Sequence, residues 1–283
     1  MSAAPIGLDA AVRIERAFAR NSVMFVTAAH ALDPERVAAS LACVGGEAIF
    51  CGVGSPVSRA VAIAAGHAID DPAFEELVGF YRRHGTPLRI EVTFATDRSL
   101  LAKLATLRTQ IAEFISILTL DLTTVDPLAG PAPVGIEVEA VDPSDAATAE
   151  LVDDTIGRGF NEGQPVPPLF RGLSRISLAK PGGMTALARV DGVAAGGGRL
   201  DIVPAAEGDP DRSPVALLTG ASTLPPFRRR GVQQALLRAR LSKAVERGCR
   251  LAVIQARTGS TSERNIQRTG FAMGYGKVIL AEA

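Results

Sequence analysis

Residues 223–233 read Thr-Leu-Pro-Pro-Phe-Arg-Arg-Arg-Gly-Val-Gln, with an apolar run before this stretch and a helical pattern after it. This order predicts a strand, a tight basic turn and the start of a helix. The first amides of a helix have no intrahelical acceptor, and the helix dipole adds partial positive charge at the same end. An anion set against these amides satisfies both, so the stretch predicts a phosphate site. Gly231 is expected to leave out a side chain that would keep the anion at a distance.

The segment before the turn predicts a buried strand. Residues 215–224 are mostly apolar, and the strand ends at Pro225-Pro226. Gly220 lies inside it and indicates a β-bulge or a close backbone approach, with a glycine tolerated in a plain core strand as the alternative. Further upstream, Gly196-Gly197-Gly198 is interpreted as a flexible hairpin segment, and a bulge at this point is the alternative.

The segment after the turn predicts a helix, a strand and a second helix. Residues 231–247 form the first helix, which ends at Gly248, and residues 251–254 form the strand. Ser260-Thr261-Ser262-Glu263 fits a capping box that opens the second helix, and Gly270-Phe271 closes it. Apolar residues recur along the first helix at three- and four-residue steps: Leu236, Leu237, Leu241, Ala244 and Val245.

These motifs resemble those of the GNAT superfamily of N-acetyltransferases. The acyl-CoA pyrophosphate loop of that family reads Gln/Arg-x-x-Gly-x-Gly/Ala, and Arg228 and Gly231 match its first two fixed positions. Gln233 departs from the third position, which is normally Gly or Ala. The helix that finishes in Gly270-Phe271 resembles the second signature of the family. The order of elements agrees with a GNAT domain over residues 134–283.

The resemblance implies that the chain binds acetyl-CoA as a co-substrate. In the GNAT fold the bulged fourth strand splays away from the fifth, and the pantetheine of the co-substrate pairs with its edge. The loop and the helix start hold the pyrophosphate, and the helix that flanks pantetheine offers a weaker contact. The candidate acetyl-CoA contacts implied in this way are Ser222, Thr223, Leu224, Arg228, Arg229, Arg230, Gly231, Val232, Gln233, Gln234 and Asn265.

The length of the chain and one stretch rich in Pro and small residues predict two domains. The chain has 283 residues, and a domain takes roughly 150. The run from residue 126 to residue 133 is rich in Pro and small residues and is the best linker. The predicted division is a degenerate GNAT-like domain at 1–126, a linker at 127–133 and an acetyl-CoA-binding GNAT domain at 134–283. The predicted fold class is α/β (α+β), with a mixed, mostly antiparallel sheet flanked by helices in each domain.

The N-terminal domain is predicted because residues 73–122 repeat the order helix, strand, helix, strand of the C-terminal half. Coincidental alternation of helices and strands is the alternative. Residues 24–26, 48–50 and 57–63 are interpreted as its early strands. At the place of the phosphate loop stands His67-Ala68-Ile69-Asp70-Asp71-Pro72, whose carboxylates would repel a phosphate. We therefore expect a structural or substrate-shaping role for this domain.

Composition limits the classes of partner. Lys plus Arg equals Asp plus Glu at 30 each, so no overall field attracts nucleic acid or a membrane surface. RNA contact through the arginines of residues 228–230 is an alternative that predicts steeply salt-dependent binding. Three cysteines have no zinc spacing and are expected to be buried free thiols, and no metal site is predicted. No long apolar segment or secretory signal is evident, which predicts a cytoplasmic protein of undetermined oligomeric state.

The catalytic groups are harder to predict than the co-substrate site. Acetyl transfer to an amine requires orientation, a donor for the acyl carbonyl and removal of a proton from the amine. Residues 215–224 contain no carboxylate, which leaves Glu162, Asp191 and Asp201 as candidate bases, each with a solvated charge as the alternative. Glu162 is preferred because it follows the first helix of the domain, in a region that shapes the acceptor site of this fold. Ile266 stands where many family members have the Tyr that protonates the departing thiolate.

The leading prediction is an acyl-CoA-dependent N-acetyltransferase that moves an acetyl group directly from acetyl-CoA to the amine of a small molecule or peptide. The rival prediction is a non-catalytic acyl-CoA-binding or regulatory module. The apolar residue at position 266, the acid-free strand and Gln233 favour the rival.

Overall fold

The structure is a computed structural model that describes residues 6–126, 129, 133–209 and 211–283. The described residues form seven α-helices and eleven strands. Contacts divide the chain into two compact units. Unit 1 takes the residues up to Thr119 together with Gln255–Ala283, and unit 2 is Leu120–Ile254. Apart from Ala129 and Pro133, the predicted linker at 127–133 lies outside the described residues.

Unit 1 is a mixed sheet with helices packed against it. Its strands follow the order β1-β2-β3-β4-β11-β5. Only β3 and β4 are parallel in the pairings of this unit. Its elements, in chain order, are α1 (Leu8–Leu32), β1 (Ala39–Cys43), β2 (Gly46–Phe50), β3 (Ala60–Val61), α2 (Asp71–Arg83), β4 (Arg89–Thr93), α3 (Arg98–Leu104), β5 (Thr109–Asp121), α7 (Thr261–Gln267) and β11 (Ala272–Glu282).

Unit 2 is a five-stranded sheet covered on both faces. The strands follow the order β10-β9-β8-β7-β6, and β9 and β10 are parallel. Leu187 of β7 packs with α4 and α5, whereas the neighbouring Ala186 and Ala188 pack with α6. Alternate strand residues face opposite sides, so α6 covers the face opposite to α4 and α5. The elements are β6 (Ile136–Ala140), α4 (Ala146–Phe160), α5 (Leu173–Ala179), β7 (Met184–Val190), β8 (Val193–Val203), β9 (Val215–Thr223), α6 (Val232–Glu246) and β10 (Leu251–Arg257).

The two units share the order hairpin, strand, helix and strand, in agreement with the predicted internal repeat and fold class. Each begins its repeated part with an antiparallel hairpin, β1–β2 in unit 1 and β7–β8 in unit 2. Each continues with a strand, a crossover helix and a second strand parallel to the first. These are β3, α2 and β4 in unit 1, and β9, α6 and β10 in unit 2.

Two predicted strands of the N-terminal half were wrong. Residues 24–26 lie inside α1, whose helical spacing puts Phe18, Phe25 and Val26 among its buried residues. Of residues 57–63, only Ala60 and Val61 are in a strand. Ala62 and Ala64 adopt left-handed φ angles of 60° and 56°, which end the extended backbone.

The last strand of the chain belongs to the sheet of unit 1. Strand β11 pairs with β4 and β5 in antiparallel register, for example Ile279 with Glu91 and Gly276 with Ser116. The predicted boundary between domains stays a prediction, but this strand of the predicted C-terminal domain completes the N-terminal sheet. None of the described helices is long and apolar enough to cross a membrane.

Unit 1 contains a buried cluster of charges, which we call the unit 1 charge cluster. The Lys277 ammonium donates to Glu91 and lies 2.9 Å from Glu15 Oε2. Arg59 Nε lies 2.8 Å from Glu91 Oε1, and the Tyr275 hydroxyl donates to Glu15 Oε1 at 2.7 Å. Burial raises the pKa of Glu15. Burial acts in the same direction on Glu91, but Lys277 and Arg59 outweigh it and lower its pKa.

Replacing Lys277→Met should destabilise the protein by about 3–5 kcal/mol, because two buried carboxylates lose their shared cation. The removal of the cation raises the pKa of both carboxyl groups in the folded state. A group with a raised folded pKa contributes stability at low pH and loses it as pH rises through that pKa, so the deficit should shrink on acidification. Denaturant unfolding at about pH 5 and about pH 8 measures both effects.

Lys243→Met is the matched control, because Lys243 pairs with the exposed Glu246 at 2.6 Å on the surface of α6. This change should be nearly neutral at both pH values. A Lys277→Met protein as stable as the control protein would show that the unit 1 charge cluster does not hold the unit together.

Candidate functional site

A β-bulge in β9 confirms the interpretation of Gly220. Gly197 of β8 pairs with Ser222 and Arg199 pairs with Thr219, so Gly220 and Ala221 together oppose Gly198. Gly220 has a φ of 54°, the left-handed conformation that a bulge of this kind requires. The ladder between β9 and β10 ends at Leu218 and Ile254, whereas β9 itself continues to Thr223. The strand therefore leaves its parallel neighbour at the bulge.

The three glycines opposite the bulge are not a flexible hairpin segment. Gly196, Gly197 and Gly198 lie buried in the middle of β8. A Cβ at Gly196 would meet Val232 of α6 at 3.1 Å, and a Cβ at Gly197 would meet Ile156 of α4 at 2.9 Å. The glycines thus allow the helices on both faces to approach β8 closely.

Beyond β9 the chain makes a tight turn and enters α6. A 3₁₀ turn spans Pro225–Phe227, Arg229 has a φ of 64° and Gly231 has a φ of 90°. The amide of Ala235 donates to the carbonyl of Gly231 at 2.9 Å, so the three residues before Ala235 have no intrahelical acceptor for their amides. No side chain caps this helix start. A helix start without a side-chain cap, together with the helix dipole, is suited to an anion.

The corresponding helix start of unit 1 is closed by the protein itself. Asp70 caps α2, and its carboxylate accepts from the amide of Ala73 at 2.9 Å. Pro72 in the first turn has no amide to donate. A carboxylate of the chain therefore occupies the position that an anionic ligand would need, as the sequence predicted for this segment.

Two arginines of the loop are held by acids that the sequence suggested as bases. Arg228 binds both carboxylate oxygens of Glu162, at 2.6 and 3.1 Å, and also donates to the carbonyls of Gly159 and Thr223. The hydrogen bonds and the charge of Arg228 lower the pKa of Glu162. Arg230 lies 3.3 Å from Asp191 and stacks over the ring of Phe227.

The third candidate base lies in a buried cluster of unit 2, which we call the Asp201 cluster. The Asp201 carboxylate accepts from Lys180 Nζ, Arg199 Nε and the Thr219 hydroxyl, at 2.8, 2.8 and 3.0 Å. Burial would raise the pKa of Asp201, but the two cations outweigh it and hold the pKa below its ordinary value. Arg199 also donates to the Thr185 hydroxyl at 3.3 Å. Among the candidate bases, Asp201 is thus the one that solvent does not reach.

Arg240 is a buried cation beneath the bulge. It is 2% exposed, and its guanidinium donates to the carbonyls of Leu236 and Arg199 at 3.0 and 3.2 Å. Burial lowers its pKa to about 10, so it stays charged near neutral pH. Among the described residues no carboxylate pairs with it. The guanidinium fits because Gly198, directly opposite the bulge, has no side chain.

The predicted strand contacts differ in what they can offer a ligand. The amide of Leu224 donates to the carbonyl of Ala195 at 2.9 Å and is therefore already used. Hydrogen-bonded and non-bonded pairs alternate in an antiparallel ladder, so Thr223 turns its backbone groups away from β8 and Ser222 turns them toward it. The hydroxyl of Ser222 donates to the carbonyl of Ile156 at 2.8 Å. Of the three, the backbone of Thr223 is the one aimed away from the β8 ladder.

The reason given for Gly231 was wrong. A Cβ at this position would not point into open space but would lie 3.1 Å from Pro133 and 3.6 Å from Ile136. Glycine is required here by the left-handed φ and by this packing. The remaining predicted loop residues lie at the helix start: Arg229, Val232, Gln233 and Gln234.

The second signature forms a helix, as predicted, and this helix belongs to unit 1. The hydroxyl of Ser260 accepts from the amide of Glu263 at 3.1 Å and caps α7. Asn265 lies on this helix and accepts from Arg268 at 3.0 Å. Ile266 is a core residue at 3% exposure. The three cysteines are buried free thiols, as expected, and burial raises the pKa of each to about 11.

The structure adds residues to the site that the sequence did not suggest. Thr219 and Arg240 flank the bulge, and Lys180 and Arg199 hold Asp201. Only Arg240 had a signal in the sequence, because it lies four residues from both Leu236 and Ala244 on the apolar stripe of α6.

Residues 150–271 match the sequence profile of the Acetyltransferase (GNAT) family. Residues 150–271 thus form a domain of the GNAT family. This match spans the bulge, the loop and α6, and it confirms the resemblance on which the site prediction depends. The family supports acyl-CoA-dependent acetyl transfer in general. Comparison with curated protein sequences gives no significant match.

Solved structures similar to the chain share its fold. A GCN5-related N-acetyltransferase from Kribbella flavida is 19% identical, with a TM-score of 0.62 and 95% of each chain covered. A tandem GNAT protein from the clavulanic acid biosynthesis pathway is 19% identical, with a TM-score of 0.57, and the match covers 81% of this chain and 75% of that one. The GNAT fold in tandem is thus confirmed.

Replacing Gly198→Ala should destabilise the protein by about 1–3 kcal/mol through overpacking. The added methyl group would lie 2.9 Å from both Arg240 Nη1 and the Cβ of Ala221, so the bulge or the guanidinium must move. Denaturant unfolding measures the loss. Gly276→Ala is the control, since no heavy atom lies within 4 Å of a Cβ built there. Equal stability of the two variants would contradict the tight fit of Arg240 beneath the bulge.

Proposed function

We propose that unit 2 binds acetyl-CoA at the start of α6 and catalyses direct transfer of its acetyl group to the amine of a small molecule or peptide. The observation that carries the proposal is a helix start without a side-chain cap, placed directly after a strand that leaves its neighbour at a bulge. The matching helix start of unit 1 is capped by Asp70. The contrast between a capped and an uncapped helix start in matching positions supports the proposal that the anion binds in unit 2.

The residues of unit 2 fit an anionic co-substrate. The amides from Arg229 to Gln234 surround the helix start, where the dipole favours negative charge. The side chain of Arg228 is committed to Glu162 and to two carbonyls, so its part is to fix the loop rather than to meet phosphate itself. Thr223 offers its amide on the side of β9 away from β8, since its carbonyl already accepts from Arg228. Asn265 lies on α7 of unit 1, and its role as a weaker contact stays a prediction from the sequence.

The chemical demand on the protein is orientation and polarisation. Acetyl-CoA supplies an acyl group that is already activated as a thioester. The amides of β9 beyond Leu218 have left the ladder with β10 and are candidates to hydrogen-bond the acyl carbonyl. The remaining contribution of the protein to the rate is to hold the amine in line with the acyl carbon beside that strand.

Glu162 stays the candidate base of the sequence-based prediction, but its ion pair weighs against that role. A carboxylate whose pKa is lowered by a bidentate arginine is a weak proton acceptor. We propose that Glu162 positions Arg228 and through it the pyrophosphate loop.

A non-catalytic acyl-CoA-binding module is the second candidate function. Its supporting observation is that the position of the usual thiolate acid is occupied by Ile266, a buried core residue. Incubation with acetyl-CoA and an amine panel (putrescine, tyramine and a lysine tripeptide) decides between the two. Release of free thiol with at least one amine supports the transferase, whereas acetyl-CoA binding without release supports the module. The buried cysteines of the protein should add little background to a thiol assay.

Replacing Gln234→Glu should weaken acetyl-CoA binding about tenfold or more at low ionic strength, because the new carboxylate faces the diphosphate. Gln234 is exposed in the first turn of α6, where a carboxylate stabilises the helix dipole, so the fold is kept. Calorimetric titration measures the affinity, and added salt should reduce the effect. Gln110→Glu makes the same charge change at an exposed site on β5. If Gln234→Glu and Gln110→Glu proteins bind equally well, the pyrophosphate does not lie at the start of α6.

Replacing Glu162→Gln separates the two roles of this residue. A positioning role predicts a several-fold rise in KM for acetyl-CoA with kcat and the pH-rate profile nearly unchanged. A role as general base predicts instead a fall in kcat of about 100-fold or more and loss of the acidic limb of the profile. We expect the first result because Arg228 binds both oxygens of the carboxylate. Steady-state kinetics across pH with an amine from the panel provides the measurement.

A further inference from the structure

Thr219 is the first residue of β9 beyond its ladder with β10. The ladder ends at Leu218, and the bulge begins at Gly220. Thr219 is half-buried, whereas the four residues before it in the strand are buried. Its side chain therefore lies where the strand passes from the core to the exposed bulge.

The hydroxyl of Thr219 has a fixed orientation. It donates its hydrogen to Asp201 Oδ2 at 3.0 Å, and that carboxylate is fully buried. Asp201 in turn is held by Lys180 and Arg199 at 2.8 Å each. A hydroxyl has one hydrogen to donate and two lone pairs that accept. With the hydrogen committed to Asp201, the hydroxyl can meet a further ligand only as an acceptor.

We propose that the Thr219 hydroxyl accepts a hydrogen bond from the acceptor amine and orients it beside the bulge. The inference rests on the proposed function, which places the acyl carbonyl against the same stretch of β9. A neutral amine has N–H hydrogens to donate and one lone pair to attack with. Holding one N–H on Thr219 restricts where that lone pair points, which is the kind of orientation that accelerates transfer.

Thr219 and Asp201 do not take the proton from the amine. Lys180 and Arg199 stabilise the charged form of Asp201, and both cations remain in contact with it. A protonated Asp201 would leave two buried cations without their shared anion. The pair therefore orients the amine through a hydrogen bond, and the Asp201 cluster serves to keep the hydroxyl turned in one direction.

The substitution Thr219→Val removes the hydroxyl while keeping the shape of the side chain. Asp201 keeps its two ion pairs in this variant, so the fold should survive. Thr219→Ser restores the hydroxyl and serves as the rescue. Thr185→Val is the matched control. It removes the hydroxyl of a buried residue that contacts Arg199 of the same cluster but lies on β7, away from the bulge.

Two measurements test the inference. The first is kcat/KM for the amine and KM for acetyl-CoA. The second is calorimetric titration of each amine of the panel into protein saturated with desulfo-CoA, which cannot react. For Thr219→Val we expect kcat/KM for the amine to fall about 10- to 100-fold, with a matching loss of amine affinity and an unchanged KM for acetyl-CoA. Thr219→Ser and Thr185→Val should stay within about threefold of the original protein.

The inference is overturned if the Thr219→Val protein binds and acetylates the amine normally, or if Thr185→Val is equally harmful. It is also overturned if the original protein binds no amine of the panel in the presence of desulfo-CoA. If the original protein binds the amine but releases no thiol, the proposed acetyl transfer is contradicted and the amine titrations still test the role of Thr219. If the protein catalyses transfer and Thr219→Val has the same kcat/KM as the original protein, only the inference about Thr219 is contradicted.

Discussion

The opposition of Gly220 and Ala221 to the single residue Gly198 is the constraint on which the site of unit 2 depends. The left-handed φ of Gly220 turns β9 just after its ladder with β10 has ended. The missing side chain of Gly198 makes room for the guanidinium of Arg240, which binds the carbonyl of Arg199. Past the bulge, Ser222 is tied to α4 and Leu224 to β8 before the chain turns into α6. The bulge, the loop and the helix start are therefore one connected structure. A shift of the backbone at Gly198 would also displace the amides at the start of α6.

Much of the C-terminal fold could be predicted because its periodic segments are long and clearly bounded. Pro225-Pro226 ends β9, and Gly248 ends the segment of α6, within a residue or two of the predicted limits. The N-terminal half was harder. An apolar run of three residues at 24–26 has no periodicity of its own, so the helix around it was missed. The left-handed Ala62 and Ala64 cut a predicted strand to two residues. Alanine, unlike glycine, carries no signal for that conformation.

The position of the candidate site could be predicted from the sequence, whereas the ion pairs between its residues could not. Arg228 and Gly231 identified the loop because a turn and a helix start follow from local sequence. The ion pairs of Arg228 with Glu162 and of Arg230 with Asp191 join residues far apart in the chain, and no local pattern reports them. Arg240 lies on the apolar stripe of α6, and Val245, assigned to that stripe, is 42% exposed. The position of Arg240 within the apolar stripe was therefore the one sequence feature that could have predicted a buried cation beneath the bulge.

The two units differ at their corresponding helix starts, of which a side chain caps one and not the other. In unit 1 the corresponding helix start is closed by the chain itself, since Asp70 caps α2, and the buried Lys277 is shared by Glu15 and Glu91. A ligand entering there would have to displace bonds that already exist. In unit 2 the three candidate bases are paired as well, with Glu162, Asp191 and Asp201 each bound to a cation. What remains in unit 2 is a helix start without a side-chain cap, after a strand that has left its neighbour. A helix start that no side chain caps favours an anion through its backbone amides and its dipole, so the proposed binding of an anionic co-substrate rests on the backbone of unit 2 more than on its charged side chains.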